Sequence, residues 1–213
     1  MSSLEGSPGT TADASHSLPL AGDQTPRLGA LAALLALVVL AACGRAPAPA
    51  ASFVGGPFHL IDQDGRAVDQ SILNGRWTAV YFGYTFCPDA CPMTLTALAQ
   101  AQAKLRPSAR GFRVVFITVD PARDTPAQMK TYLASPAFPP GALGLTGSPA
   151  QITEAARAYR VYYRKAGAGS DYSVDHSSVI YLMDPAGRFR APIDAQAPPT
   201  TMASQIKAAI AQG

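Results

Sequence analysis

Cysteine is scarce in this chain: three residues, Cys43, Cys87 and Cys91, among 213, too few for a framework of structural disulfides. No apolar run reaches the roughly 20 residues that a spanning helix needs, the longest being the fifteen residues Leu28 to Ala42. Charge is present but scattered, and no basic stripe interleaved with aromatic residues occurs, which argues against a nucleic-acid partner. Internal repeats are absent. Histidine is as rare as cysteine, with only His16, His59 and His176. Any site built from thiolate or imidazole donors therefore has few residues to draw on.

What is present begins with a leader. Residues 1–26 mix Ser, Gly, Thr, Pro and Asp without apolar periodicity and carry no fold signal. The fifteen-residue run after Arg27 has the length of a signal-peptide apolar region. It ends Leu40-Ala41-Ala42-Cys43-Gly44, which resembles a bacterial lipoprotein signal, and this resemblance implies a lipid on Cys43 as the mature N-terminus. The competing reading is an uncleaved anchor with an incidental cysteine. Either way the remainder is expected outside the cytoplasm, facing the periplasm and held at a membrane. The expected organisation is a leader and signal over 1–43, a Pro/Ala-rich tether over 44–53, and one domain over 54–213. Loss of residues 1–42 removes Arg27, Glu5, Asp13 and Asp23, leaving sixteen basic and eleven acidic residues, a net charge of +5.

The domain is organised around Val80 to Leu95, where an apolar strand runs into the Pro-bracketed pair Cys87-Pro88-Asp89-Ala90-Cys91-Pro92 and then into a helical pattern. Proline is tolerated in the first turn of a helix, so Pro92 places the helix start near Cys91 and Cys87 in the preceding loop. Both sulfurs then face one point. Three intervening residues allow a metal ion or a disulfide, and the spacing alone leaves both open.

Elsewhere the pattern predicts a hairpin of Phe58–Ile61 and Arg66–Val68 around Asp64-Gly65, and buried strands at Trp77–Phe82 and Phe112–Val119. Helices are predicted from Pro92 to about Arg106, from Thr125 to Leu133 with Pro126 first, over Ser148–Tyr159, and over Thr200–Ala211. A closing hairpin joins Val179–Met183 to Arg188–Ala191 through Asp184–Gly187, and the Pro-rich Ser135–Gly141 is a surface loop. Strand, helix, strand in this order is the α/β signature with parallel crossovers.

His59 reads as structural or surface. His176 stands in the polar entry to the strand at Val179, where a ring can project beside the sheet. Asp175 can orient it or cap the loop. Asp120, Arg123 and Asp124 read chiefly as a loop network, Tyr81, Phe82 and Tyr84 as core, and Met93 as packing rather than a thioether donor.

Four motifs in order, Phe82-Gly83-Tyr84-Thr85 with Cys87 to Pro92, Val119-Asp120-Pro121 with Arg123 to Pro126, Asp175-His176-Ser177, and Tyr181 to Gly187, resemble the Sco/SenC family of copper chaperones over about residues 54 to 210. That resemblance implies a thioredoxin-like fold, a central mixed sheet flanked by helices with an added N-terminal β-hairpin. It implies one copper ion held by Cys87, Cys91 and His176, and delivery to the CuA-bearing subunit of cytochrome c oxidase. Other periplasmic copper chaperones or thiol reductants would be further partners. Two thiolates and an imidazole suit Cu(I) in a three-coordinate site and, with an added ligand, Cu(II). Structural zinc normally takes four protein ligands. The alternative is a thiol-disulfide oxidoreductase in which Cys87 and Cys91 cycle as a redox pair and reduce the cysteines of the acceptor site. A thiol peroxidase is the weakest reading, since no motif for peroxide activation accompanies the cysteines.

Overall fold

The apolar run before the cysteines forms the strand β3 (Thr78–Gly83), every residue of which is buried. The computed structural model describes residues 54–105 and 111–212. Cys43, the apolar run and the tether expected over 44–53 lie outside them. In chain order come β1 (His59–Asp62), β2 (Ala67–Asp69), a 3-10 turn at Gln70–Leu73, β3, α1 (Ala90–Leu105), β4 (Arg113–Thr118), α2 (Pro126–Leu133) and β5 (Leu143–Thr146). These are followed by α3 (Pro149–Ala158), β6 (Tyr163–Ala166), β7 (Ser173–His176), β8 (Val179–Met183), β9 (Phe189–Asp194) and α4 (Pro199–Ala211).

Seven strands form one mixed sheet in the order β2-β1-β5-β4-β3-β8-β9. The central strands β3, β4 and β5 are parallel, as crossover helices require, whereas β1, β2, β8 and β9 join by antiparallel pairing. Both parallel crossovers step the same way across the sheet, so right-handedness puts α1 and α2 on one face. The packing agrees. A Cβ on Gly83 would stand 2.6 Å from the Phe116 ring and 2.8 Å from Cys91 Sγ, and one on Gly144, the register partner of Phe116, would stand 2.8 Å from Leu133 of α2. Helix α4 packs on α1, and Thr94 of α1 donates to the Ala195 carbonyl at 3.0 Å just before α4. On the opposite face the ring of Phe82 lies 5.3 Å from that of Tyr159, at the end of α3.

Local signals act where they were expected. Thr125 and Ser148 cap α2 and α3 through their side chains, each with Pro at the first helical position, and Ser148 with Gln151 completes a capping box. Asp62 and Asp184 close the two hairpin turns by accepting backbone N–H groups two and four residues on. Gln102, which interrupts the apolar stripe of α1, reaches the Phe112 carbonyl.

Three features depart from the sequence expectation. Leu143–Thr146 is a strand, paired with both β4 and β1. Tyr163–Ala166 and Ser173–His176 form a separate two-stranded sheet, so His176 ends a strand instead of standing in a loop. Met93 is 70% exposed, because it projects from the first turn of α1 away from the sheet, and core packing is not its role.

Candidate metal centre

Strand β3 stops at Gly83, and the loop that follows is held from beneath by Asp124. This carboxylate accepts the Thr85 backbone N–H at 3.0 Å, the Thr85 hydroxyl at 2.6 Å and the Thr118 hydroxyl at 2.6 Å. Gln128 adds a bond to the same Thr85 hydroxyl. Burial raises the Asp124 carboxyl above its ordinary value, against the pull of these donors. Asp124 is thus a member of the expected loop network, and it fixes the strand-to-helix turn two residues before Cys87.

Helix α1 starts at Ala90, one residue before the position expected from Pro92. Pro92 sits third in the helix, where its missing N–H would have had no intrahelical partner. Cys91 is wholly buried in that first turn, and Cys87 in the loop is half-buried; both thiols are free. The Cys91 backbone N–H points at Cys87 Sγ, 3.4 Å away. From the same face of β3 the Tyr81 hydroxyl reaches Cys91 Sγ at 3.8 Å.

His176 closes the group. Its Nε2 lies 3.6 Å from Cys91 Sγ, although 85 residues separate them. Nδ1 lies 3.1 Å from the Ser177 carbonyl, which can only accept, so Nδ1 donates there and Nε2 is the nitrogen turned toward the sulfurs. The rings of Tyr81 and Tyr84 stand edge-on to the imidazole, with centroids 6.2 and 6.1 Å away. Asp175 has no part in this orientation: its carboxylate pairs with Arg164 at 3.2 Å on the exposed side of the hairpin, because alternate strand residues face opposite ways. His59 is exposed on β1, away from the group.

The two thiols are electrostatically unequal. A hydrogen bond from the Cys91 thiol, then His176 and the backbone N–H groups of Cys91 and Asp89, outweigh burial and hold Cys87 at about 3. Cys91 goes the other way, raised by its hydrogen bond to the Cys87 thiolate and by burial. Sequence reasoning missed this asymmetry, which depends on one sulfur lying under the helix and the other in front of it. In the reduced, metal-free protein the Cys87 thiolate is therefore expected to persist well below the ordinary cysteine range. Between the two site cysteines, alkylation by iodoacetamide should then fall on Cys87 and be nearly pH-independent between pH 8 and 5, whereas in urea the rate should drop about tenfold per pH unit below 8. Peptide mass mapping checks this, and a native rate that falls as in urea contradicts it.

Among the described residues no three or more His, Cys, Asp and Glu side chains stand already arranged to hold a metal ion. Cys87, Cys91 and His176 are neighbours in mutual contact, so an entering ion has to replace those contacts.

A thioredoxin-like sheet with a dithiol at the start of its first crossover helix, and an imidazole brought against the inner sulfur, defines a protein of thiol or soft-metal chemistry. The SCO1/SenC family model matches residues 46–211, and the chain belongs to that family. It is 49% identical over 146 residues to the mitochondrial Protein SCO1 homolog 1 of Arabidopsis thaliana, a match that covers 67% of this chain and 43% of that protein's length. The crystal structure of Arabidopsis thaliana ScoI with copper bound superposes with a TM-score of 0.71 at 43% identity, covering 75% of this chain and 99% of that one. BsSco, a member of the Sco family of cytochrome c oxidase assembly proteins in which a disulfide switch has been identified, superposes with a TM-score of 0.57 at 27% identity, covering 74% and 94%.

Proposed function

We propose that this protein is a metallochaperone that takes up one copper ion through Cys87, Cys91 and His176 and delivers it to the CuA site of cytochrome c oxidase. The observation that carries the reading is the 3.6 Å contact between Cys91 Sγ and His176 Nε2. With bonds of about 2.3 Å to sulfur and about 2.0 Å to nitrogen, as zinc makes, an ion shared by the pair would hold them about 3.5 Å apart if tetrahedral and about 3.7 Å if trigonal. The donor set is soft, as Cu(I) prefers, and the imidazole adds affinity for Cu(II). Copper in the related Arabidopsis structure and oxidase assembly in the family of BsSco support cargo and destination. Cys87, the more exposed sulfur, is the donor through which an acceptor can reach the ion.

The test is an anaerobic copper titration followed by X-ray absorption spectroscopy. One equivalent bound, with both sulfur and nitrogen scatterers, is the expected result. Failure to bind copper stoichiometrically overturns the reading.

The acidic Cys87 thiol beside a protonated Cys91 also favours a companion reading, a dithiol reductant of the acceptor site. Cys87 thiolate attacks an acceptor disulfide and releases one acceptor thiolate. Cys91 then gives up its proton and attacks Cys87 Sγ, releasing the second, so two electrons pass to the acceptor and a Cys87–Cys91 disulfide remains. Mild oxidation of the metal-free protein should accordingly lower the free-thiol count at Cys87 and Cys91 from two to none. Two free thiols after oxidation remove this reading and leave copper delivery standing.

The place of action follows from the lipoprotein-like sequence at Cys43: attachment at an extracytoplasmic membrane surface. Among the described residues no helix is long and apolar enough to cross a membrane. Mass spectrometry of the mature protein should find Cys43 lipidated as the first residue, and Cys43→Ser should accumulate as uncleaved precursor. An unmodified peptide running through residues 28–42 in the native protein sinks the lipoprotein assignment.

A further inference from the structure

The loop between β4 and α2 touches both arms of the candidate metal centre. On one side Asp124 holds Thr85, and the Arg123 guanidinium lies over Phe86, the residue before Cys87, with 4.7 Å between Cζ and the ring centre. On the other side the same guanidinium lies 3.7 Å from the ring centre of Tyr172, four residues before His176. Asp120 completes the connection: one carboxylate oxygen accepts Arg123 Nε and the other accepts the Tyr172 hydroxyl at 2.7 Å. Arg123 Nη2 is buried without a hydrogen-bond partner, and the faces of Tyr172, Phe86 and, at 5.7 Å, Tyr84 surround the cation. A guanidinium is suited to this, being planar, permanently charged and weakly hydrated.

The hairpin that carries His176 needs such a tie. Strands β6 and β7 pair with each other and with no strand of the seven-stranded sheet; at its C-terminal end β7 reaches that sheet through Ser177 and Ser178, which lead into β8 beside β3. A bond between the hydroxyls of Thr153 and Tyr163 holds the far strand to α3. The near strand is tied to the cysteine side twice, by Val174 N–H to the Tyr84 hydroxyl and by Tyr172 to the loop under the cysteines.

We infer that Arg123 is a positioning residue for the metal centre: through Asp120 and Tyr172 it clamps the His176 hairpin against the cysteine loop and so sets the register of imidazole and thiols. Its removal leaves both sulfurs in place and lets the imidazole drift away from them. The metal part of this inference rests on the copper reading above; the positional part does not.

The experiment uses the full-length protein in detergent, labelled at histidine and tyrosine, as wild type and as Arg123→Ala, Arg123→Lys and Tyr172→Phe. In the reduced, metal-free wild type, His176 ring protons should show cross-peaks to Tyr81 and Tyr84. Arg123→Ala should lose them and lose about tenfold or more in Cu(II) affinity, as outer partners of a metal ligand do, with a smaller change for Cu(I). Arg123→Lys, which keeps the charge without the planar stack, should recover part of both, and Tyr172→Phe, which keeps the ring without the hydroxyl, should fall between. If Arg123→Ala does not fold, the other two variants decide. Wild-type cross-peaks and Cu(II) affinity in every folded variant overturn the inference, even where the melting temperature has dropped, because that pattern marks a purely structural ion pair. A wild type that binds no copper overturns the copper reading instead, and the metal-free cross-peaks still decide the clamp.

Discussion

Cys91→Ala should lower copper affinity by more than about a hundredfold, beyond the 10–100-fold typical of losing only an outer partner of a ligand. Cys91 is the proposed inner donor, in contact with the other two residues, and its loss leaves one half-exposed thiol and an imidazole with nothing between them. His176→Ala should behave differently. Two thiolates suffice for two-coordinate Cu(I), so Cu(I) binding weakens and changes coordination, while Cu(II), which favours imidazole and more ligands, loses more. Affinity for both ions, measured beside assembly of the oxidase copper site, gives the comparison. Unchanged affinities and normal assembly in His176→Ala remove the imidazole from the site; a dithiol reductant alone would show that pattern.

Asp124→Ala should be the most destabilising change near the site that touches no proposed ligand. It strands a buried backbone N–H and two threonine hydroxyls, and hydrogen bonds to a charged acceptor contribute roughly 1.5–3 kcal/mol each. Partial re-pairing, for instance of Thr85 with Gln128, brings the expected loss to about 3 kcal/mol, or roughly 6–12 °C in melting temperature for a domain of this size. Asp124→Asn should lose less, since an amide oxygen can keep part of the pattern. Thermal melts of the three proteins check the order. A melting temperature for Asp124→Ala within about 2 °C of wild type would show that the loop does not depend on this carboxylate.

Gly83 links these two changes. It ends β3 where the chain turns into the cysteine loop, and the absence of a side chain there lets Cys91 Sγ and the Phe116 ring meet the strand directly. The same close approach buries Cys91 completely, and that burial helps to keep its proton on at a pH where Cys87 is ionised. The division of labour between the two thiols therefore comes from packing, and the bare spacing of the cysteines carries no sign of it.

Elements whose causes are local were legible along the chain. Pro92 and the apolar run before the cysteines marked the strand-to-helix junction, Thr125-Pro126 and Ser148-Pro149 started two helices, and Asp-x-x-Gly turns at 62–65 and 184–187 closed two hairpins. In each, neighbouring residues satisfy one another's backbone groups, so the signal is complete within a few positions. The rest depends on contacts between distant segments. Leu143–Thr146 is too short and too Gly-broken to announce a strand, and it becomes one because β4 and β1 offer backbone partners on both sides. Strands β6 and β7 alternate weakly, with only Val174 of their eight residues buried, and their pairing rests on each other and on Tyr172. The likeness to a family named His176 as a ligand. Its neighbours along the chain could not, because what distinguishes it is a contact made across 85 residues by packing a hairpin against a loop, and no local periodicity encodes that distance.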